Sequence, residues 1–243
     1  FRYSTDEYQW NSEDMDDETK KGSGSMSEKK PHHASPAEDI PVYELQITLS
    51  DLAVWRRILV RGDVNLGLLH AATQVAMGWT NSHLHQFFIG KKRYSAPMED
   101  DDMDYGDPAL NEEEALLMET VPKAKTKFLY EYDFGDSWMH TLQVVKIHKS
   151  VWTPDDVATC IDGAYACPPE DCGGIGGYAD LLEIIQDPSH EEYKTMMDWL
   201  GDGFDPDAFD LRKVNKYLKK LKFPHMTWQQ LGKVLMQRDG YRE

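Results

Sequence analysis

Carboxylates and a histidine lie close together in the stretch 128–177, where they are suited to acid–base chemistry. The candidates are Asp133, Asp136, His140, Glu170 and Asp171. A carboxylate beside an imidazole can transfer protons when burial shifts its pKa towards neutrality. Strand alternation, however, places Asp133 on the face opposite His140, so the two converge only if the hairpin end curls. Asp136 also fits a simple turn role, and Glu170–Asp171 fits a loop cap. Hydrolysis is therefore an alternative interpretation.

Three cysteines in the same stretch form a second candidate site. Cys160, Cys167 and Cys172 can present thiolates to zinc, and His140 would complete a tetrahedral set. The spacings, six and four intervening residues, differ from the Cys-x-x-Cys of zinc knuckles. Three small, buried, reduced thiols are the other interpretation.

Two further histidines, His83 and His85, begin a predicted strand. If both lie in the strand, their imidazoles share a face, and such a pair can bind a metal. The pair alone is weak evidence. His70, on a predicted helix, is interpreted as a hydrogen-bonded core residue.

An aromatic hairpin is the element that must position these groups. Residues 128–134 and 138–144 alternate on either side of the turn-forming residues Gly135–Ser137. Across a three-residue turn, the predicted pairs are Phe134 with Trp138, Tyr132 with His140 and Tyr130 with Leu142. We interpret Tyr130, Tyr132 and Trp138 as anchors for a partner.

Two arginines add to the predicted binding residues. Arg56 and Arg57 point to opposite faces of a strand at 54–60. One of them is a candidate ion-pair partner for the acidic face of the hairpin. The alternative is that both are solvated.

These motifs occur together, and in this order, in a known family. The residues concerned are Tyr132-Asp133-Phe134-Gly135-Asp136-x-Trp138-x-His140, Cys160, Ala166-Cys167-Pro168-Pro169-Glu170-Asp171-Cys172-Gly173-Gly174, Gly177-Tyr178 and, upstream, Trp55–Val60, Leu69-His70, Gly78-Trp79 and His83-Leu84-His85-x-Phe87. Over residues 43–222 the chain resembles the plasmid pRiA ORF-three-like family. Some members carry a resolvase label and others are fused to DNA-binding or zinc-finger modules. The resemblance brings no established catalytic residues with it.

Charge and composition narrow the possible partners. The net charge of −17 disfavours a broad phosphate-binding surface, so we expect a protein partner and no direct nucleic-acid binding. The acidic block 98–114 is either a solvated loop or a contact for a basic partner. The sequence has no apolar run that would span a bilayer and no signal-peptide pattern. Three clustered cysteines do not fit a secreted disulfide framework, so we expect a cytoplasmic protein.

The first residues look different from the rest. The run Gly22–Ser25 before Met26 is typical of an engineered linker, which makes residues 1–21 an appended peptide. We interpret this peptide either as a fused partner, anchored by its aromatic residues, or as a tag.

The predicted fold class is α+β: a mixed, mostly antiparallel sheet packed with helices in one compact domain, with a flexible N-terminal extension. The predicted parts are the peptide and linker (1–25), a tether (26–42), the main domain (43–222) and a helical extension (223–243). The favoured function is a protein- or peptide-binding module. The alternatives are a metal-dependent or acid–base hydrolase that uses His140, and an accessory protein in DNA transposition or resolution.

Overall fold

The segments in which polar and apolar residues alternate form the strands of one large sheet, and helices pack on this sheet. The computed structural model describes residues 40–97, 109–149, 157–201, 203–224 and 226–236. The strands are β1 (Val42–Leu49), β2 (Trp55–Arg61), β3 (His85–Ile89), β4 (Lys92–Ser95), β5 (Leu110–Asn111), β6 (Lys127–Tyr132), β7 (Trp138–His148) and β8 (Ala158–Ala164). The helices are α1 (Leu66–Met77), α2 (Leu117–Thr120), α3 (Gly174–Gln186), α4 (Tyr193–Leu200), α5 (Leu211–Leu218) and α6 (Trp228–Met236), and a 3-10 turn covers Glu112–Glu114. The predictions for residues 1–39 and 98–108 lie outside the described residues.

The strands follow one another across the sheet in the order β5-β4-β3-β6-β7-β1-β2-β8. Neighbouring strands are antiparallel, except β4 and β5, which run parallel. The prediction of an α+β domain with a mixed, mostly antiparallel sheet is confirmed. The order also places β8 three positions away from β7.

Helix α1 begins and ends where its sequence predicts. The Asn65 side chain accepts a hydrogen bond from the Leu68 amide at 2.8 Å, and Gly78 ends the helix with φ 117°. All its residues except Gly67 are buried, including His70. The helix therefore lies inside the core, and its side chains reach the groups discussed below.

A buried arginine attaches the end of α1 to the sheet. The Arg56 guanidinium donates to the carbonyl oxygens of Ala76 at 2.9 Å, Ala164 at 2.8 Å and Tyr165 at 2.8 Å. It also lies 4.4 Å from the ring centroid of Phe209. The Ala76 carbonyl lies at the C-terminus of α1, where a positive charge is favourable, and the other two carbonyls lie at and just after the end of β8. Arg56 thus stabilises the fold from inside, where a partner cannot reach it.

Arg57 lies on the other face of β2. It forms an ion pair with Glu44 at 3.2 Å and donates to the Gln46 side chain at 2.7 Å and 2.9 Å. Its carboxylate partner is therefore on β1 and not on the hairpin of β6 and β7.

The hairpin of β6 and β7 has a longer turn than predicted. The observed pairs are Tyr132 with Trp138, Tyr130 with His140 and Phe128 with Leu142, a shift of two residues from the predicted register. The reason is that Asp133 leaves the strand with φ 59°, so residues 133–137 form the turn. A shift of two keeps every side chain on its predicted face, but it moves Asp133 off the strand altogether.

The edge strand β8 is covered by a side chain from α5. The Cys160 amide donates to the Asn215 side-chain oxygen at 2.9 Å, and the Asn215 amide donates to the Cys160 carbonyl at 2.8 Å. Asn215 therefore occupies the position of a neighbouring strand at this point.

The C-terminal helices α4 and α6 begin in different ways. At α4, Ser189 and Glu192 have the spacing of a capping box but do not form one, because the Ser189 hydroxyl donates to Asp187 at 2.6 Å. The corresponding box at α6 is formed by Thr227 and Gln230, with bonds of 2.8 Å and 3.2 Å. No helix among the residues described above is both long enough and apolar enough to cross a membrane.

Replacing Arg56 tests its structural role. Arg56→Met keeps an unbranched apolar stem but leaves the carbonyls at the end of α1 without their donors. We expect the free energy of unfolding in urea to fall by about 3 kcal/mol or more. Arg57→Met, on the more exposed face of the same strand, should cost less than about 1 kcal/mol. Equal losses in the two variants would contradict this role.

Candidate functional site

Three separate segments meet beside the hairpin turn. They are the loop between α1 and β3 (78–84), the turn between β6 and β7 (133–137), and the loop that precedes α3 (170–173). We call the four side chains that they bring together the His83 cluster: His83, Asp133, Glu170 and Asp171.

Asp133 is aimed at the cluster by its own turn. Its Oδ1 accepts hydrogen bonds from the amides of Gly135 at 2.9 Å and Asp136 at 3.4 Å. The Ser137 amide closes the turn on the Asp133 carbonyl at 2.6 Å. This leaves Oδ2 facing His83, with 3.5 Å between Oδ2 and the imidazole Nε2.

Glu170 is fixed by three hydrogen bonds to a single oxygen. Its Oε1 accepts from the Thr80 amide at 2.6 Å, the Thr80 hydroxyl at 2.7 Å and the Tyr132 hydroxyl at 3.0 Å. Burial, together with the negative charge of Glu170, raises the pKa of Tyr132, so the phenol remains a donor. The other oxygen, Oε2, lies 3.9 Å from the His83 Nε2.

His83 lies at the centre of these acids. Its Nε2 is shielded from solvent, and Asp171 Oδ1 lies only 3.1 Å away, yet no hydrogen bond reaches the nitrogen. One ligand atom each from His83, Asp133 and Asp171 lie within 4.8 Å of one another. Ligands of a tetrahedral zinc, at about 2.0–2.1 Å from the ion, are separated by roughly 3.3 Å. The observed separations from Nε2, 3.1 and 3.5 Å, are close to this value.

Close backbone packing holds the third segment in place. The Gly173 amide donates to Asp136 Oδ2 at 3.1 Å. Gly174 has φ 68°, and a Cβ there would lie 2.8 Å from the Asp136 carbonyl oxygen. A Cβ on Gly177 would overlap the Cys172 carbonyl oxygen. Only glycine fits at these two positions.

The structure therefore brings together three of the five predicted acid–base residues, but around a different histidine. His140 is fully buried, and its Nδ1 is 2.9 Å from the Trp138 carbonyl, which makes it the donor. Its Nε2 accepts from the Trp79 indole at 3.3 Å. Burial lowers the pKa of His140 to about 4, so it stays neutral in the core. Asp136 lies outside the cluster, and its side chain accepts a hydrogen bond from the Gly173 amide.

The predicted zinc set of Cys160, Cys167, Cys172 and His140 is not assembled. Cys160 lies on β8 and His140 on β7, with β1 and β2 between them, so the two residues are at least roughly 14 Å apart across the sheet. Burial raises the pKa of Cys160 to about 11 and that of Cys172 to about 12, which keeps both thiols protonated. In the described part of the chain, His83, Asp133 and Asp171 are the set that meets the geometry for a metal ion.

The predicted aromatic anchors lie inside the protein. Tyr130, Tyr132 and Trp138 are each 0% exposed, so their rings pack the core and offer no surface to a partner. Two other apolar side chains, each next to a cluster residue in the chain, are exposed instead. Leu84 and Phe134 are both 44% exposed, the first beside His83 and the second beside Asp133.

A second group of titratable side chains is buried behind the first. The rings of His70 and His85 stack with centroids 3.4 Å apart, and His85 Nε2 lies 2.8 Å from Glu112 Oε2. Burial lowers the pKa of His85 to about 3 and raises that of Glu112 to about 7. Below about pH 7 the Glu112–His85 pair therefore holds one proton.

Sequence reasoning missed the role of His83. The pair His83 and His85 was interpreted as one face of a strand, but β3 begins only at His85. The two imidazoles consequently belong to different clusters. The sequence did contain one indication: Thr80 and Ser82, just before His83, are polar residues typical of a loop, which suggests that His83 lies outside the strand.

The fold and the cluster define a class of α+β protein with a His–carboxylate site at the edge of an aromatic hairpin. The family model described as plasmid pRiA4b ORF-3-like protein matches residues 41–213. The chain belongs to this family.

Two relatives extend the comparison. The uncharacterized protein y4hQ of Sinorhizobium fredii (strain NBRC 101917 / NGR234) is 33% identical over 184 residues, which cover 74% of this chain and 92% of that protein. The crystal structure of MM3350, a protein of unknown function from Methanosarcina mazei Go1, is similar with a TM-score of 0.63 and 34% identity. That match covers 73% of this chain and 99% of the other.

The buried carboxyl predicts a pH-dependent stability. The unfolded Glu112 releases its proton near 4.5, whereas the folded one keeps it up to about 7. Raising the pH through this interval therefore favours the unfolded state, by up to about 3 kcal/mol. Burial of His85 lowers its pKa from 6.5 to about 3 and so has the opposite effect between those two values, but a Glu112→Gln variant retains that effect.

The measurement is the free energy of unfolding, from urea titrations between pH 4.5 and 8. The wild type should lose stability relative to Glu112→Gln as the pH rises. Glu113→Gln, which removes an exposed carboxyl from the same turn, should follow the wild type. Parallel curves for the wild type and Glu112→Gln would show that Glu112 titrates normally.

Proposed function

We propose that the His83 cluster binds a divalent metal ion and that the protein is a metal-dependent hydrolase. The observation that carries the proposal is the His83 Nε2, which is shielded from solvent, surrounded by carboxylates and without a hydrogen bond. An imidazole nitrogen among carboxylates is a donor set for zinc or manganese, whereas magnesium and calcium prefer oxygen ligands alone.

The arrangement also suits hydrolysis. Three protein ligands, from His83, Asp133 and Asp171, leave room for a water molecule, and a bound metal lowers the pKa of such a water. Glu170 Oε2 faces the same point, while Oε1 is held by Thr80 and Tyr132. A carboxylate fixed in this way is a candidate general base.

The charge around the cluster bears on the substrate. The protein carries a net charge of −17, and the cluster contributes three carboxylates. An anionic substrate such as a phosphoester would be repelled. We therefore propose a neutral or basic substrate with a hydrolysable carbonyl, such as a peptide or an amide.

Metal titration tests the site directly. Protein without a histidine tag, stripped with a chelator, is titrated calorimetrically with Mn²⁺ and Zn²⁺. We expect one ion per chain and at least a tenfold weaker affinity for His83→Ala and Asp171→Asn, since each removes a ligand. His148→Ala, which breaks a surface pair with Glu44, is the control and should bind normally.

Two results would count against this proposal. Unchanged affinity in His83→Ala would exclude the cluster as the metal site. If Cys172→Ser loses zinc binding and His83→Ala keeps it, the cysteines and not the His83 cluster bind the zinc. Metal-dependent cleavage of amide or ester substrates, lost in His83→Ala, would support the enzyme; binding without turnover would leave a metal-binding protein.

The second candidate function is the protein- or peptide-binding module. It is favoured by the exposed Leu84 and Phe134, which adjoin His83 and Asp133 in the chain. Apolar contacts beside a negative patch fit a segment with basic and apolar residues. Residues 1–21 remain the proposed first ligand to test, although their acidic stretch 14–18 has the same negative charge as the carboxylates of the cluster and would be repelled by them. A cytoplasmic location and the DNA-transaction alternative stay predictions.

Peptide titration separates these possibilities. The free peptide 1–21, and a version with its acidic residues replaced by lysine, are titrated into residues 26–243. If the cluster is the contact face, the lysine version should bind more tightly and Phe134→Ser should weaken it. Leu110→Ser, an equally exposed position elsewhere, is the control. Failure of both peptides at high micromolar concentration would remove the support for this candidate.

A further inference from the structure

The loop between α1 and β3 contacts both clusters. Thr80 donates to Glu170, and the Ser82 amide donates to the Tyr132 hydroxyl at 2.9 Å, so these two residues face the His83 cluster. Asn81, between them, points the other way. Its side-chain oxygen lies 2.7 Å from His70 Nε2.

Asn81 belongs to a closed ring of hydrogen bonds. Its amide donates to Gln74 Oε1 at 2.9 Å, and Gln74 Nε2 donates to the Tyr130 hydroxyl at 2.9 Å. The Tyr130 hydroxyl lies 2.8 Å from His70 Nδ1, and His70 Nε2 closes the ring on Asn81.

The ring fixes the protonation of His70. The backbone amide of Asn81 can only donate, so Gln74 must present its oxygen there and its amide group to Tyr130. The Tyr130 hydroxyl then donates to His70 Nδ1, and the protonated Nε2 of His70 donates a hydrogen bond to the side-chain oxygen of Asn81. This leaves His70 as a neutral imidazole in one tautomer, in agreement with burial, which lowers its pKa well below the usual value.

Little in this ring can move. His70 is 2% exposed and stacks on His85, and Tyr130 is fully buried. Asn81 has φ 61°, a conformation that its side-chain bond helps to hold. We infer that His70 is a positioning residue: through Asn81 it holds the loop that places His83 against Asp133 and Asp171. The inference rests on the proposed metal site for its functional meaning.

Variants of Asn81 and His70 test the inference in the full-length protein. Asn81→Gly tolerates the positive φ but loses the acceptor, whereas Asn81→Asp keeps an acceptor oxygen. His70→Leu breaks the ring from the helix side. Thr73→Val, also buried on α1 and bonded to Leu69 at 2.9 Å, is the matched control for a general loss of stability.

Two measurements are made on each variant: affinity for Mn²⁺, and hydrogen exchange of the Asn81 and Ser82 amides. We expect Asn81→Gly and His70→Leu to weaken Mn²⁺ binding about tenfold, as changes behind metal ligands do. Both amides should exchange faster in these two variants. Asn81→Asp should restore protection and affinity, and Thr73→Val should change neither.

The outcomes separate this inference from the proposed function. Normal affinity and exchange in Asn81→Gly and His70→Leu would overturn the positioning role, whatever the wild type binds. If the wild type binds no Mn²⁺ but exchange follows the expected pattern, the metal site fails while His70 still positions the loop. Faster exchange with unchanged affinity would show that the ring orders the loop without positioning His83, and would also refute the inference.

Discussion

One carboxylate oxygen, Oε1 of Glu170, joins the parts of the molecule that form the site. It accepts hydrogen bonds from Thr80 at 2.6 and 2.7 Å and from Tyr132 at 3.0 Å, so it links the loop before α3 to the loop after α1 and to the hairpin. Hydrogen bonds to a charged acceptor are stronger than neutral ones. This contact holds Asp171 near His83 together with the bond between Gly173 and Asp136.

The residues around His83 combine two energetically unfavourable features, backbone with positive φ and carboxylates close to one another. Asp133 and Asp171 both have positive φ, at 59° and 57°, an uncommon conformation that costs aspartate less than most residues other than glycine. Three carboxylates also face one imidazole at close range. Strain and like charges persist only where the surroundings enforce them. Here the enforcing contacts are the glycine packing at the start of α3 and the buried ring around His70.

Local sequence rules predicted the elements well and the site only in part. Helix α1 follows from Asn65, its apolar spacing and Gly78, because caps and periodicity act over a few residues. The hairpin register was wrong by two residues because the turn depends on which backbone amides the Asp133 side chain accepts. The cluster itself joins segments about fifty and forty residues apart in the chain. Alternation rules end where a strand ends, so they could not place His83.

Asn215 bears on whether two copies of the protein can pair through the edge of their sheets. Its amide occupies the donor and acceptor of Cys160 on the outer strand. A second molecule that approached this border would find those groups already taken, and could not extend the sheet there by backbone pairing. One side chain on a short helix thus blocks backbone pairing with a second copy at this point of the sheet edge.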